Sequence, residues 1–470
     1  RKDKGWAISE QDQVEDMELI KEIGATSIRL AHYQHSQFFY DLCDQAGMVV
    51  WAEIPFISVM SQNELEGVNA KQQMLELIKQ NFNHPSIIFW GIQNEIQIGG
   101  ERPEVRRLVK ELNELTKQED PTRLTTMANV LFVDEKDEFN RMTDAVAYNK
   151  YYGWYHGKTE DFDPWLDKFH AINPDRPLCI SEYGVEGIVQ YHSSAPKVKD
   201  YSEEYHALYH EVAWRIFEKK PFLWATYVWN MFDFGANIRD EGGVKGRNNK
   251  GLVTYDRKIK KDAFYMYKAH WSDEKFVHLT SKRFVDRAEE SIWVKAYSNC
   301  EEVTLHVNGE RLQTISSGER IFVFQDVRLA EGLNEIRAVA RDNGAIYQDI
   351  AWFAKVEQPN ASYEAPVADK GEEASNWFEL PDMGAEELEE LQITDEVYST
   401  RCTFKELYEN EEAEAVLTAY LGADFRDRPT YAMTQGFTID MLASMAPEHF
   451  TDKRIYALNR ELTRIRRIRP

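Results

Sequence analysis

The chain has 470 residues, too many for one ordinary domain, and a formal charge of -24 that repels polyanions and anionic lipid alike. Nucleic acid and membranes are therefore poor partners, and a small neutral ligand is easier to accept. The four cysteines (Cys43, Cys179, Cys300, Cys402) form no CxxC pair, which argues against a disulfide scaffold or a zinc knuckle and reads as buried, reduced thiols.

No apolar run reaches the ~20 residues that a spanning helix needs. The few unpaired cysteines lean toward a cytoplasmic location. Aromatic residues make up 13% of the chain and cluster before about residue 275, which suits a cleft that stacks flat apolar ligand faces, although most are ordinary core. The chain opens on "RKDKGWAISEQD", with neither an initiator Met nor a leading strand, as if upstream sequence had been removed.

Up to about residue 272, short β-rich apolar runs alternate with amphipathic stretches, the pattern of parallel strands joined by crossover helices. The first helix is predicted within "SEQDQVEDMELIKEIG", with Ser9 as cap, Asp12 three residues on, and Gly24 as its end. The strands follow at 26–32, 48–55, 86–95, 124–130, 144–152, 177–184 and 223–234. This is an α/β chain one strand short of a (β/α)8 TIM barrel over residues 1–272, the missing strand falling just before Arg1. In such barrels, functional groups sit at the carboxyl ends of strands.

From 273 to 357 the period changes to two, with turn signals at Asn308-Gly309 and Asn343-Gly344, as in an immunoglobulin-like β-sandwich. Residues 358–400 carry Pro and a heavy excess of Asp and Glu and read as an acidic linker. Residues 401–470 read as a small helical region whose basic end is expected to contact the chain's own acidic surface.

Two glutamates end two of these strands: Glu95 in "WGIQNE" and Glu182 in "CISEYG". A lone strand-end Glu is more often a salt bridge or cap. Two of them three strands apart, each in an apolar run beside an Asn or a Tyr, suggest instead a pair facing across the barrel mouth. A separation of about 5 Å would suit retaining glycoside hydrolysis.

At this point the chain resembles glycoside hydrolase family 2, and within it the β-galactosidases. The resemblance runs over most of residues 1–357, through "IRLAHYQHSQFFYDLCDQAGMVVWAEIP", "NHPSIIFWGIQNE", "YNKYYGWYHG", "ISEYG", "VWNMFDF" and "RNNKGLVTYDRKIKKDAFYMYKAHW". It implies Glu95 as general acid/base, Glu182 as nucleophile, and Tyr151 orienting the nucleophile, with Tyr152 a weaker candidate. It also implies substrate contacts from Asn94 to the sugar 2-hydroxyl, His32 to a hydroxyl, and Trp229 as a stacking platform; Arg29 is a lesser candidate beside His32.

"GRNNKG" adds Asn248 and Lys250. The Asn-x-Lys pattern binds a sugar carboxylate in the β-glucuronidases of the same family, but galactosidase-like members carry a similar pattern. Galactoside is therefore the first expectation and glucuronide the alternative.

No cofactor is expected. Glu53 in "WAEIP" could ligate a divalent metal, yet no His/Asp cluster of suitable spacing surrounds it, so no metal site is assigned. The expected partner is a small carbohydrate, and a homo-oligomer stays open. The family's preceding sugar-binding and sandwich domains are absent, so a catalytically incomplete carbohydrate-binding fragment is the rival reading.

Overall fold

The computed structural model describes residues 1–58, 60, 65–99, 103–366, 391, 393–394, 396–421, 426, 431–445 and 452–467. Helix α1 (Glu10–Glu22) starts where the sequence predicts: the Asp12 N–H donates to Ser9 Oγ at 3.2 Å and the Ser9 N–H to the Asp12 carboxylate at 2.8 Å. Gly24 follows it at φ +84, where a Cβ would lie 2.5 Å from the Trp271 carbonyl.

The barrel then runs through β1 (Ser27–Leu30), α2 (Gln37–Ala46), β2 (Val49–Glu53), α3 (Leu65–Asn81), β3 (Ile87–Asn94), α4 (Pro103–Glu119) and β4 (Leu124–Asn129). It continues with β5 (Val146–Asn149), α5 (Phe162–Ile172), β6 (Leu178–Tyr183), α6 (Glu203–Phe217) and β7 (Leu223–Val228). All seven strands are parallel and paired in chain order, as the alternating pattern requires. Trp51, Phe89, Ala147, Cys179 and Tyr227 fill the interior, while a larger apolar layer joins the strands to the helices. One crossover differs from expectation: β4 and β5 are joined by a loop with a single 3-10 turn, Glu138–Arg141, whose cap Asp137 accepts from the Phe139 N–H at 2.8 Å.

β1 and β7 are the sheet's two ends and do not hydrogen-bond to each other. Both are largely half-buried, whereas β6 is buried throughout. A cavity lies between them, lined by Ser27, Ile28, Thr226 and Val228 with Ile20 and Trp271 behind. The barrel is thus open by one strand, as the sequence implies.

β7 stops at Val228 rather than running to 234. The chain turns there and builds an unpredicted antiparallel hairpin, β8 (Phe234–Glu241) and β9 (Val244–Asn248), before α7 (Asp262–Trp271). Gly242 and Gly243, at φ +61 and +73, supply the left-handed pair that such a tight turn needs.

The following domain contains β10 (Val277–Leu279), β11 (Asp286–Arg287), β12 (Ile292–Ser298), β13 (Glu302–Val307), β14 (Glu310–Ser316), β15 (Ile321–Val327), β16 (Gly332–Asp342) and β17 (Ala345–Lys355). They form a three-stranded sheet, β10-β12-β15, and a five-stranded sheet, β11-β17-β16-β13-β14, around a shared apolar core. Asp262 fastens this domain to the barrel by bonding His278 Nε2 at 3.0 Å and the Ser281 N–H at 2.6 Å.

Of the expected acidic linker, residues 367–390 lie outside the described residues. Its first part is packed: the Val285 N–H donates to the Tyr363 hydroxyl at 3.2 Å, and the Tyr363 ring meets Phe284 edge-on. The C-terminal helices are α8 (Phe404–Tyr408), α9 (Glu411–Leu421), α10 (Tyr431–Thr434), α11 (Ile439–Met445) and α12 (Asp452–Leu462). The basic end pairs within this region, Arg467 with Glu406 and Arg464 with Glu461. All four cysteines are buried and unpaired, and no helix among the described residues is long and apolar enough to cross a membrane.

Candidate active site

The strand ends converge on Arg29 of β1, whose side chain is 2% exposed. Its Nε and Nη2 form a fork on Glu53 of β2, both at 3.0 Å. Nη1 donates to Glu182 Oε1 at 2.7 Å, and Nη2 also reaches Asn94 Oδ1 at 2.8 Å. One guanidinium therefore ties together β1, β2, β3 and β6. Burial alone would raise the Glu53 carboxyl, but Arg29 and His32 pull it below its ordinary value.

Glu182 is held from its other side by Tyr151, whose hydroxyl donates to Oε2 at 2.7 Å. Burial and the adjacent Glu182 hold that phenol well above its usual range, so it remains a donor. Tyr152 points elsewhere, against His156 and Phe162. Asn94 accepts from Arg29 and from Asn149 Nδ2 (3.1 Å) through the same oxygen, which leaves its amide N–H groups available to a ligand.

Glu95 follows β3 at φ +51, outside the strand conformation, and its N–H donates to the Ala128 carbonyl at 2.9 Å. Burial, followed by the negative charge of Glu182, raises its carboxyl to about 7. The site thus separates its two glutamates: one is fixed by a cation and a phenol, while the other readily holds a proton.

His32 bonds Glu53 Oε1 through Nδ1 at 2.8 Å and stacks on Trp229 with ring centres 5.1 Å apart. The Ala31–His32 and Trp229–Asn230 peptides are both cis. Trp229 is further fixed by Gly184, where a Cβ would fall 2.1 Å from the Trp229 carbonyl oxygen. Glu53, which the sequence offers as a candidate metal ligand, is instead occupied by Arg29 and His32. Among the described residues, the group with metal-ligand spacing is Asp41, Asp44 and His84, and it does not include Glu53.

Asn248 ends β9 and Lys250 follows it. Asn248 Oδ1 accepts from the Lys250 N–H at 3.1 Å. Lys250 Nζ donates to Glu186 at 2.9 Å and to the Tyr155 hydroxyl at 3.1 Å, and the Tyr155 ring lies 5.1 Å from that of Tyr151. Sequence reasoning missed Tyr155, Glu186 and Asn149 and undervalued Arg29. The spacing of Tyr151 and Tyr155 was the one available signal for Tyr155.

A parallel α/β barrel with two glutamates at strand ends defines a class, the barrels that carry a carboxylate pair at the C-terminal mouth. Residues 1–276 match the family model described as "Glycosyl hydrolases family 2, TIM barrel domain", and the chain belongs to glycoside hydrolase family 2. Residues 289–347 match a domain of unknown function (DUF4982).

The chain is 38% identical to a β-glucuronidase of Bacteroides fragilis, over 76% of its own length and 53% of that protein's. It resembles the crystal structure of an FMN-binding β-glucuronidase from Facaelibacterium prausnitzii L2-6 at 52% identity and a TM-score of 0.74, covering 77% of this chain and 55% of that one. A Bacteroides uniformis β-glucuronidase 2, covalently bound to cyclophellitol-6-carboxylate aziridine, matches at 31% identity and a TM-score of 0.69, covering 74% and 44%. The chain spans about half the length of the curated relatives it matches first.

Proposed function

We propose that this chain is the catalytic part of a retaining β-glycosidase acting on terminal β-D-glucuronides. The observation that carries the substrate class is Lys250, a buried cation beside Tyr155 and one ring away from the nucleophile's own tyrosine. Relatives named β-glucuronidase at 38% and 52% identity support it. This reverses the order expected from sequence, in which galactoside came first.

In this reading Glu95 protonates the glycosidic oxygen while Glu182 attacks the anomeric carbon, forming a covalent glycosyl-enzyme. Arg29 and Tyr151 hold both carboxylate oxygens of Glu182 and aim it, and Trp229 offers an indole face to the sugar. Once Glu182 is esterified its charge is gone, so one cause of the raised Glu95 value disappears. Glu95 then ionises and serves as base toward water. Asn94 donates its free N–H to the 2-hydroxyl, a bond that strengthens as oxocarbenium character develops.

The test is a panel of 4-nitrophenyl β-D-glucuronide, galactoside, glucoside and mannoside with the full-length protein, wild type and Glu182→Gln. The glucuronide is expected to be turned over fastest, and the variant to be inactive on all four. A preference for galactoside, or near-normal turnover by the variant, would overturn the substrate or the mechanism respectively.

A further inference from the structure

Beyond Lys250, two more cations converge on the same aromatic pair. Arg239, on the β8–β9 hairpin, donates through Nη1 to the Tyr155 hydroxyl at 3.1 Å and to Glu241 at 2.9 Å. Lys199, in the connection between β6 and α6, sits with Nζ 3.9 Å above the centre of the Trp154 ring and 5.2 Å from that of Tyr155. That Nζ is buried and has no hydrogen-bond partner. An ammonium carries three donors, and enclosing it with none satisfied is costly unless a ligand completes it. Its backbone is also held at φ +65, a conformation that a lysine seldom adopts.

The charges do not balance. Lys199, Arg239 and Lys250 face two carboxylates, Glu186 and Glu241, so one positive charge is left over in a water-poor cluster. Glu186 is engaged by Lys250 and the Asn249 N–H, and Glu241 by Arg239. Burial draws the Lys199 ammonium down to about 8, with Glu241 and Glu186 opposing that fall, so the amine is largely charged at neutral pH. The Tyr155 hydroxyl oxygen receives two cationic donors, which leaves its own proton free to donate.

We propose that Lys199 is a specificity-determining residue: its ammonium, together with Lys250 and the Tyr155 hydroxyl, receives the carboxylate of an acidic sugar, which supplies the one negative charge the cluster lacks. This rests on the glucuronide reading above and adds to it a residue from a different loop, outside the Asn-x-Lys pattern. The competing role is purely structural, a cation stacked on Trp154 for packing.

The experiment compares kcat/KM for 4-nitrophenyl β-D-glucuronide and for its neutral counterpart, the β-D-glucoside, on the full-length wild type and on Lys199→Met, Lys199→Gln and Lys199→Arg. Losing one charge-assisted bond to the carboxylate should lower the glucuronide-to-glucoside ratio on the order of 10- to 100-fold in the Met and Gln variants, mainly through KM. The Arg variant, which keeps the charge, should stay within about fivefold. An unmoved ratio, or equal losses on both substrates, overturns the proposal. A chain that folds only with a cation at position 199 also overturns it, because the role would then be structural charge balance. A wild-type enzyme that prefers the glucoside refutes the glucuronide reading itself, before any variant is compared.

Discussion

Replacing Arg29 by Met tests the site most severely. The change removes the fork on Glu53 and the bonds to Glu182 and Asn94, and leaves two carboxylates, 1% and 7% exposed, without their shared cation. Breaking a buried pair by deleting one partner costs about 3–5 kcal/mol. At roughly 2–4 °C per kcal/mol for a domain of this size, the barrel's melting transition should fall by about 6–20 °C in scanning calorimetry. Neutralising the stranded acid should recover part of that loss. The Arg29→Met/Glu53→Gln double variant is therefore expected to be more stable than additivity predicts, by about 1–3 kcal/mol. A single variant that melts within about 2 °C of wild type, or a strictly additive cycle, would refute the role assigned to this guanidinium.

Four further outcomes follow from the structure. Because the acid step needs Glu95 protonated and its carboxyl is raised to about 7, kcat/KM should decline as pH rises through about 7, approaching tenfold per pH unit beyond it. In Glu182→Gln the same carboxyl should titrate lower, a shift readable by 13C NMR of labelled glutamate, and an unchanged titration would deny the coupling. Gly184→Ala should push on the Trp229 carbonyl and cost about 100-fold in kcat/KM. Gly67→Ala, whose Cβ would meet only Leu108 at 3.5 Å, should stay within about 0.5 kcal/mol of wild-type stability.

What was legible in the sequence was whatever a single strand or helix announces by itself. The Ser9–Asp12 box, the seven apolar runs and the polar residues ending them each carry a local signal. Arg29 was undervalued because an arginine near a strand end reads as a solvated charge; its partners come from three other strands. β14, "ERLQTIS", is an edge strand with no buried residue, so its sequence carries no alternation by which to read it. The β8–β9 hairpin was hidden by its glycines and half-exposed faces, although Gly242-Gly243 was a usable turn signal. Lys250 was visible, but the sequence could not say that it faces Tyr155 and Glu186, the contacts on which the glucuronide proposal rests. Lys199 lies in a connecting loop, where nothing periodic marks it.

The gap between β1 and β7 also bears on the proposed function. His32 hangs from one lip and Trp229 from the other, and their stacked rings are a clasp across the opening. A sugar lying on Trp229 and bonded to His32 would draw the lips together, and a strand zipped into the gap would hold them at a fixed span. On the proposed function the two would be linked ligands: whatever filled the seam would raise affinity for the sugar by the same factor by which the sugar tightened the seam.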